Sequence, residues 1–290
     1  MTEQLKDQVA VVTGSGGTRS IGRATAKLFA ENGAKVVLAD INADALDITV
    51  KELQSDGHDV IGVPVDVSDF DSVTSLADAA WSHYGKVDIA FLNAGVPGGG
   101  TLFDDAMDEW RRVFDVNFFG ILNGIKNFAP RMMAQGTPGH ILGTASGAGT
   151  TGTNWQTPVY STSKQAILTL MECLYGQLSA AGSLVKAHTV FPPLTKSGLA
   201  GDPEIMNFVL DSLEKGGVTT VLAEPEEVAQ TVLDAIVTDN FWGSRDHDSD
   251  QRLSGGRFIP SLDWEAQVVR AKAEAMINRT SPDAYVWGGK

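Results

Sequence analysis

The sequence predicts a doubly wound parallel α/β sheet of Rossmann-like form, and three observations predict it. Short apolar, β-branched runs alternate with stretches of helical period. The first run leads directly into a Gly-rich turn that opens a helix. An acidic residue, Asp40, closes the second run, 18 residues after Gly22 at the end of that turn.

The elements follow in order. Gln8-Val-Ala-Val-Val-Thr13 is a strand unbroken by charge, as expected when both faces are covered. Gly14-Ser-Gly16-Gly17-Thr-Arg-Ser20-Ile21-Gly22 is the turn, and Arg23–Gly33 is a helix ending at a glycine stop. Ala34–Asp40 is the second strand, Ala43–Asp56 a helix and Val60–Val65 the third strand. Ser68 is the expected N-cap of a helix over Phe70–Tyr84. Strand four is Val87–Leu92, followed by Asn93 and a Gly-rich loop to Gly100. A helical stretch runs from about Asp105 to Gln135, in one piece or two. Gly139–Thr144 is strand five, Pro158–Ala180 a helix and Val185–Phe191 strand six. Beyond Pro193 the pattern gives helices over Pro203–Leu213, from Pro225 and over Leu262–Asn278, with a last strand near Gly255–Pro260. No repeat, low-complexity tract or linker divides the chain, so residues 1–290 read as one domain with a C-terminal extension from about 240.

Two features carry chemistry. Glycines let backbone approach a pyrophosphate, and the helix that follows offers free N–H groups and the positive end of its dipole. Tyr160 and Lys164 stand four apart at the start of the sixth helix, on one face, just after Ser146. An ammonium beside a phenol lowers the tyrosine pKa towards that of a general base, and a nearby serine holds a substrate oxygen. That set points to hydride-transfer chemistry. The alternative is a surface lysine over a packed tyrosine. Tyr84, Tyr175 and Tyr285 are followed four residues later by Asp88, Ser179 and Gly289 instead.

Together these residues resemble the short-chain dehydrogenase/reductase family from about Leu5 to Ser197. Thr13-Gly14 and Ile21-Gly22 match the ends of its Gly-rich loop, and Asn93-Ala94-Gly95 matches its Asn-Ala-Gly motif. Asn117, Ser146, Tyr160 and Lys164 match its four catalytic positions. The chain departs from the family in two places. Its Gly-rich loop is longer by about two residues, with Ser20 at the middle glycine, and Pro193 replaces a later glycine, fixing φ and removing an N–H.

The resemblance implies roles. Tyr160 is the general acid/base, Lys164 its activator and a ribose ligand, and Ser146 orients the reacting oxygen. Asn117 holds a water linked to the lysine, with a helix-surface amide as the alternative. Gly14, Gly16, Ser20 and Ile21 meet the pyrophosphate, and Asn93 and Gly95 the adenosine half. Asp66 and Val67 meet the adenine, with capping of the next helix as the alternative for Asp66. Thr195 and Ser197 hold the carboxamide, and residues 194–217 cover the substrate. Asp40 accepts both ribose hydroxyls and repels a 2′-phosphate, which implies NAD, although Arg19 in the long loop is within reach of one.

The expected reaction interconverts a secondary alcohol and a ketone. The alternatives are an NADPH-dependent carbonyl reductase and a nucleotide-binding regulator without turnover. Trp155, Leu199, Met206 and Phe208 suggest a hydrophobic substrate. Phe118, Phe119, Leu168 and Leu174 suggest a subunit interface, and the resemblance implies a homo-oligomer, a tetramer before a dimer.

Composition excludes other classes. A net charge of −14 and a pI near 4.7 leave no basic surface for nucleic acid or anionic lipid. No apolar run is long enough to span a bilayer, and the N-terminus lacks the form of a signal peptide, giving a cytoplasmic expectation. Cys173 has no partner cysteine and reads as a buried spacer among Leu170, Met171 and Leu174. No metal site is expected: the five histidines lack ligand spacing, and Arg245–Asp250 lacks the Gly and Glu of a calcium loop.

Overall fold

The computed structural model describes residues 4–103, 107–147, 157–200 and 222–243. Seven parallel strands form one sheet: β1 (Val9–Thr13), β2 (Lys35–Asp40), β3 (Val60–Pro64), β4 (Ile89–Leu92), β5 (Gly139–Thr144), β6 (Val185–Val190) and β7 (Trp242–Gly243). Their order is β3-β2-β1-β4-β5-β6-β7. The chain therefore winds outward from β1 in one direction and from β4 in the other. A crevice for ligands opens where that reversal occurs, at the carboxyl ends of β1 and β4.

The helices are α1 (Ile21–Glu31), α2 (Ala43–Ser55), α3 (Phe70–Tyr84), α4 (Met107–Phe114), α5 (Gly120–Gln135), α6 (Pro158–Ala180) and α7 (Pro225–Thr238). They cover both sheet faces. Val9, Val11, Val37 and Ile141 face one core, completed by Leu76, Phe128, Ile167 and Met171. Ala10, Val12, Leu38 and Leu142 face the other, completed by Phe29, Leu53, Val232 and Leu233. Alternate residues of each strand thus serve opposite cores, which is why β1 reads as apolar throughout and is buried throughout.

Several expectations need correction. Asp69, not Ser68, caps α3, its carboxylate accepting from the amides of Asp71 and Ser72. Ser68 instead donates its hydroxyl to Asp66 at 2.6 Å. The stretch to Gln135 is α4 and α5 joined by a π-helical turn, Asp115–Phe119, which turns Asn117 inward to full burial. Cys173 is exposed, because the core stripe of α6 is Ile167, Leu168, Met171, Leu174 and Leu178 and position 173 lies off it. Leu168 and Leu174 therefore belong to the core, not to an outer face. β7 was not anticipated, since two residues carry no pattern. Residues 203–213, 245–250, 255–260 and 262–278, and Trp155, Met206 and Phe208, lie outside the described residues.

Candidate active site

Most of the predicted site residues follow the carboxyl ends of strands, whereas Asn117 comes from the π-helical turn and Tyr160 and Lys164 from α6. After β1, Gly14 takes a left-handed φ of 70°, a conformation that glycine adopts without a Cβ clash. A Cβ there would sit 2.9 Å from the Cα of Ala94, and one at Gly22 would collide with the Gly14 carbonyl. The turn is therefore folded tightly onto β4. Ser20 caps α1, accepting from the amide of Arg23 at 3.1 Å and donating to the Gly14 carbonyl at 3.3 Å. The amides of Ile21 and Gly22 stand in the first turn, where no intrahelical acceptor exists.

Asp40 closes β2 beside this turn. Its carboxylate accepts from the Gly16 amide at 2.8 Å and the Asn42 amide at 3.0 Å, which fixes its position relative to the loop. Arg19 is exposed, and its carbonyl accepts from Gly198 at 2.8 Å, joining the long loop to the segment after β6. Asp66, after β3, accepts from the Ser68 amide and hydroxyl on one oxygen, so part of its capacity serves the local turn. Val67 is buried against α5, its carbonyl accepting from Asn123 at 3.0 Å.

Asn93 ties three strands together. Its side-chain amide donates to the Thr13 carbonyl at 3.1 Å and accepts from the Thr144 hydroxyl at 3.1 Å. The Thr13 hydroxyl in turn accepts from the amides of Asn93 and Ala94. Deeper, the Asn117 side chain accepts from the Val96 amide at 2.8 Å and donates to the Val96 carbonyl and the Ser163 hydroxyl, both at 3.1 Å. Ser163 donates onward to the Tyr160 carbonyl at 2.8 Å. Gly95 lies between these groups. A Cβ on it would stand 3.2 Å from Asn117 Oδ1 and 3.4 Å from Lys164 Nζ.

Lys164 is 2% exposed, and its ammonium donates to the Thr144 carbonyl at 2.9 Å. Burial alone depresses its pKa from 10.5 to about 8. Tyr160 hydrogen-bonds Ser146. Its pKa is raised, chiefly by burial, with the Ser146 bond opposing the rise. The sequence predicted the reverse. The reason is geometric: Lys164 Nζ lies 5.7 Å from the Tyr160 ring centroid and points its proton at Thr144.

The segment after β6 closes the site. Thr195 is buried and pairs with Ala223, and its hydroxyl donates to the Pro193 carbonyl at 2.7 Å. Ser197 is buried too, its amide donating to the Thr195 carbonyl at 2.7 Å. The Pro192 carbonyl accepts from the Gly147 amide at 3.4 Å, so the loops after β5 and β6 are joined. Sequence reasoning missed Thr13, Thr144 and Ser163, which hold the predicted residues in place. The available signal was a threonine ending a short strand, in both β1 and β5.

A model of the short chain dehydrogenase family matches residues 8–204. The chain belongs to the short chain dehydrogenase family. It is similar to an uncharacterized oxidoreductase of Listeria monocytogenes, with 33% identity over 80% of this chain and 91% of that protein. It is also 34% identical to the 1-deoxy-11-beta-hydroxypentalenate dehydrogenase of Streptomyces avermitilis, over 86% of this chain and 88% of that protein. Among solved structures it resembles a short chain dehydrogenase/reductase from Burkholderia phymatum in complex with NAD. There the TM-score is 0.74 and the identity 31%, covering 98% of this chain and 99% of the other. The chain is thus an oxidoreductase of a family that uses a nicotinamide cofactor. Among the described residues, no helix is long and apolar enough to cross a membrane.

Proposed function

We propose that this short chain dehydrogenase interconverts a secondary alcohol and a ketone with NAD, using Tyr160 as general acid/base. The observation that carries the reading is the Tyr160–Ser146 hydrogen bond, set beside a buried lysine that donates to Thr144 at the carboxyl end of β5. The residues fit a dinucleotide: the tight turn, the capped start of α1 and the fixed Asp40 carboxylate form one continuous edge. A bound NAD⁺ supplies the hydride acceptor and a cationic ring that favours the phenolate.

Ser146 orients the reacting oxygen against the Tyr160 hydroxyl. In ketone reduction the phenol donates its proton to that oxygen; in alcohol oxidation the phenolate takes it. The raised pKa of Tyr160 keeps the free enzyme's phenol protonated at neutral pH, ready for reduction. Lys164, mostly charged at pH 7, stabilises the phenolate when it forms. Asn117 keeps the loop after β4 against α6 through Val96 and Ser163 and borders a proton path from Lys164. Asp66 and Val67 would hold the adenine, Asn93 and Gly95 the adenosine half, and Thr195 and Ser197 the carboxamide.

Asp40 favours NAD, because a 2′-phosphate beside its carboxylate costs several kcal/mol. The exposed Arg19 supports the second reading, NADPH-dependent carbonyl reduction. Comparing kcat/KM for the two cofactors decides between them. The expected result is a preference for NAD of about a hundredfold or more, narrowed in Asp40→Ala. Parity, or a preference for NADP, defeats the reading. No turnover across a broad alcohol and ketone panel, with NADH still bound, would favour a nucleotide-binding regulator.

The protein assembles as a homo-oligomer, a tetramer before a dimer, supported by the exposed Phe103, Met107 and Phe119. A monomeric mass by light scattering at micromolar concentration overturns this. The substrate is a small hydrophobic molecule, and the setting is cytoplasmic.

A further inference from the structure

We propose that His140, His188 and Asp239 bind a divalent first-row cation of the zinc class, remote from the active site. Their ligand atoms lie within 4.8 Å of one another. His140 is the second residue of β5, four residues before Thr144, which places it about 13 Å along the strand from the Lys164 contact. His188 is buried in β6, and Asp239 ends α7 on the turn into β7. No sequence spacing joins them; the parallel register of β5 and β6 and the packing of α7 do.

The ring orientations suit a cation. His188 Nδ1 lies 2.8 Å from the Asn240 carbonyl. A carbonyl only accepts, so Nδ1 carries the hydrogen and the Nε2 lone pair faces His140. Metal-binding histidines characteristically donate their other ring N–H to a carbonyl or carboxylate in this way, which fixes the tautomer and raises ligand basicity. His140 Nδ1 stands 2.9 Å from that lone pair and donates to it. Two imidazoles thus share one hydrogen where a cation would sit.

Binding a cation opens that separation to about 3.3 Å, the spacing of two nitrogens on tetrahedral zinc. The His140 hydrogen moves from Nδ1 to Nε2 through solvent, with no net proton released. Asp239 supplies the third ligand from a left-handed position, φ 54°, held by its amide bonds to Ala235 and Ile236. It is exposed and pairs with Lys186 at 3.8 Å, a contact the cation replaces. A water completes the tetrahedron, and His140 is partly open to solvent, which gives the ion entry. Two nitrogens and a carboxylate suit zinc, copper or nickel better than magnesium or calcium.

The test uses the untagged full-length chain, cleared with a chelator and titrated calorimetrically with Zn²⁺, and with Co²⁺ followed by visible absorption. The expected result is one equivalent per chain, a Co²⁺ spectrum of a nitrogen–oxygen site and a melting temperature raised by several degrees. His188→Gln and Asp239→Asn each weaken uptake at least tenfold, whereas His83→Gln leaves it unchanged. Asp239→Asn guards against a folding artefact, because asparagine tolerates the left-handed conformation. Absence of stoichiometric uptake, or uptake equal in wild type and Asp239→Asn, overturns the proposal. Turnover of the metal-free enzyme is expected to be unaltered and serves as the check on intact fold.

Discussion

The two ends of β5 bury polar groups in opposite ways. At its carboxyl end, Thr144 offers its carbonyl to a buried ammonium and its hydroxyl to Asn93, which in turn bonds Thr13. At its amino end, His140 is hydrogen-bonded to His188, both rings held neutral chiefly by burial, His140 with its pKa lowered to about 4. One end keeps a charge inside the protein at a cost; the other avoids charge. The proposed catalysis would account for the difference: a group that is to stabilise a transient phenolate has to stay charged where water is scarce, and that position opposes folding.

The largest effect expected at the carboxyl end comes from Tyr160→Phe. Loss of the transferable proton lowers kcat by about a thousandfold, with NADH affinity unchanged by fluorescence titration. A drop of less than tenfold would remove Tyr160 from the role proposed for it.

Thr13→Val follows. The valine keeps the shape but strands the amides of Asn93 and Ala94, which both use the Thr13 hydroxyl. Urea unfolding should show a loss of about 1–3 kcal/mol. An unchanged midpoint would mean that solvent replaces the hydroxyl and that the network is not cooperative.

The smallest effect on stability has the opposite sign. Lys164→Met should abolish most activity yet stabilise the fold at pH 7. The fall from 10.5 to about 8 corresponds to about 3 kcal/mol against folding with the lysine charged. The Thr144 carbonyl left without its donor costs about 1–2 kcal/mol, leaving a net gain of about 1–2 kcal/mol. The pH dependence fixes the sign. Between about 8 and 10.5 the unfolded chain binds the proton that the folded chain has released, so wild-type stability rises with pH there. Below about 8 the penalty is complete. The advantage of the methionine variant should therefore shrink above pH 8 in denaturant titrations. A constant difference from pH 7 to 10 contradicts the buried-charge account.

The same contrast separates what the sequence conveyed from what it could not. Pattern alone located α6 at Pro158–Ala180 and β5 at Gly139–Thr144 to the residue, because both are long or apolar enough for burial to dominate local choice. It missed the π-helical turn at Asp115–Phe119, since a widened turn leaves the helical period almost intact. It exchanged Ser68 for Asp69 as a cap, because both residue types accept from first-turn amides and only backbone geometry chooses. The exposure of Cys173 was misjudged from its apolar neighbours, when only the rotational phase of α6 mattered.

Local order of residues determined the strand–helix alternation, the tight turn at Gly14–Gly22 and the pairing of Tyr160 with Lys164, because each depends on contacts only a few positions apart. The tertiary structure decided the rest. Parallel register set His140 against His188, and the approach of Thr144 gave the buried Lys164 ammonium a carbonyl to donate to. Electrostatic balance at a buried group is summed over every neighbour in space, and most of those neighbours are distant along the chain.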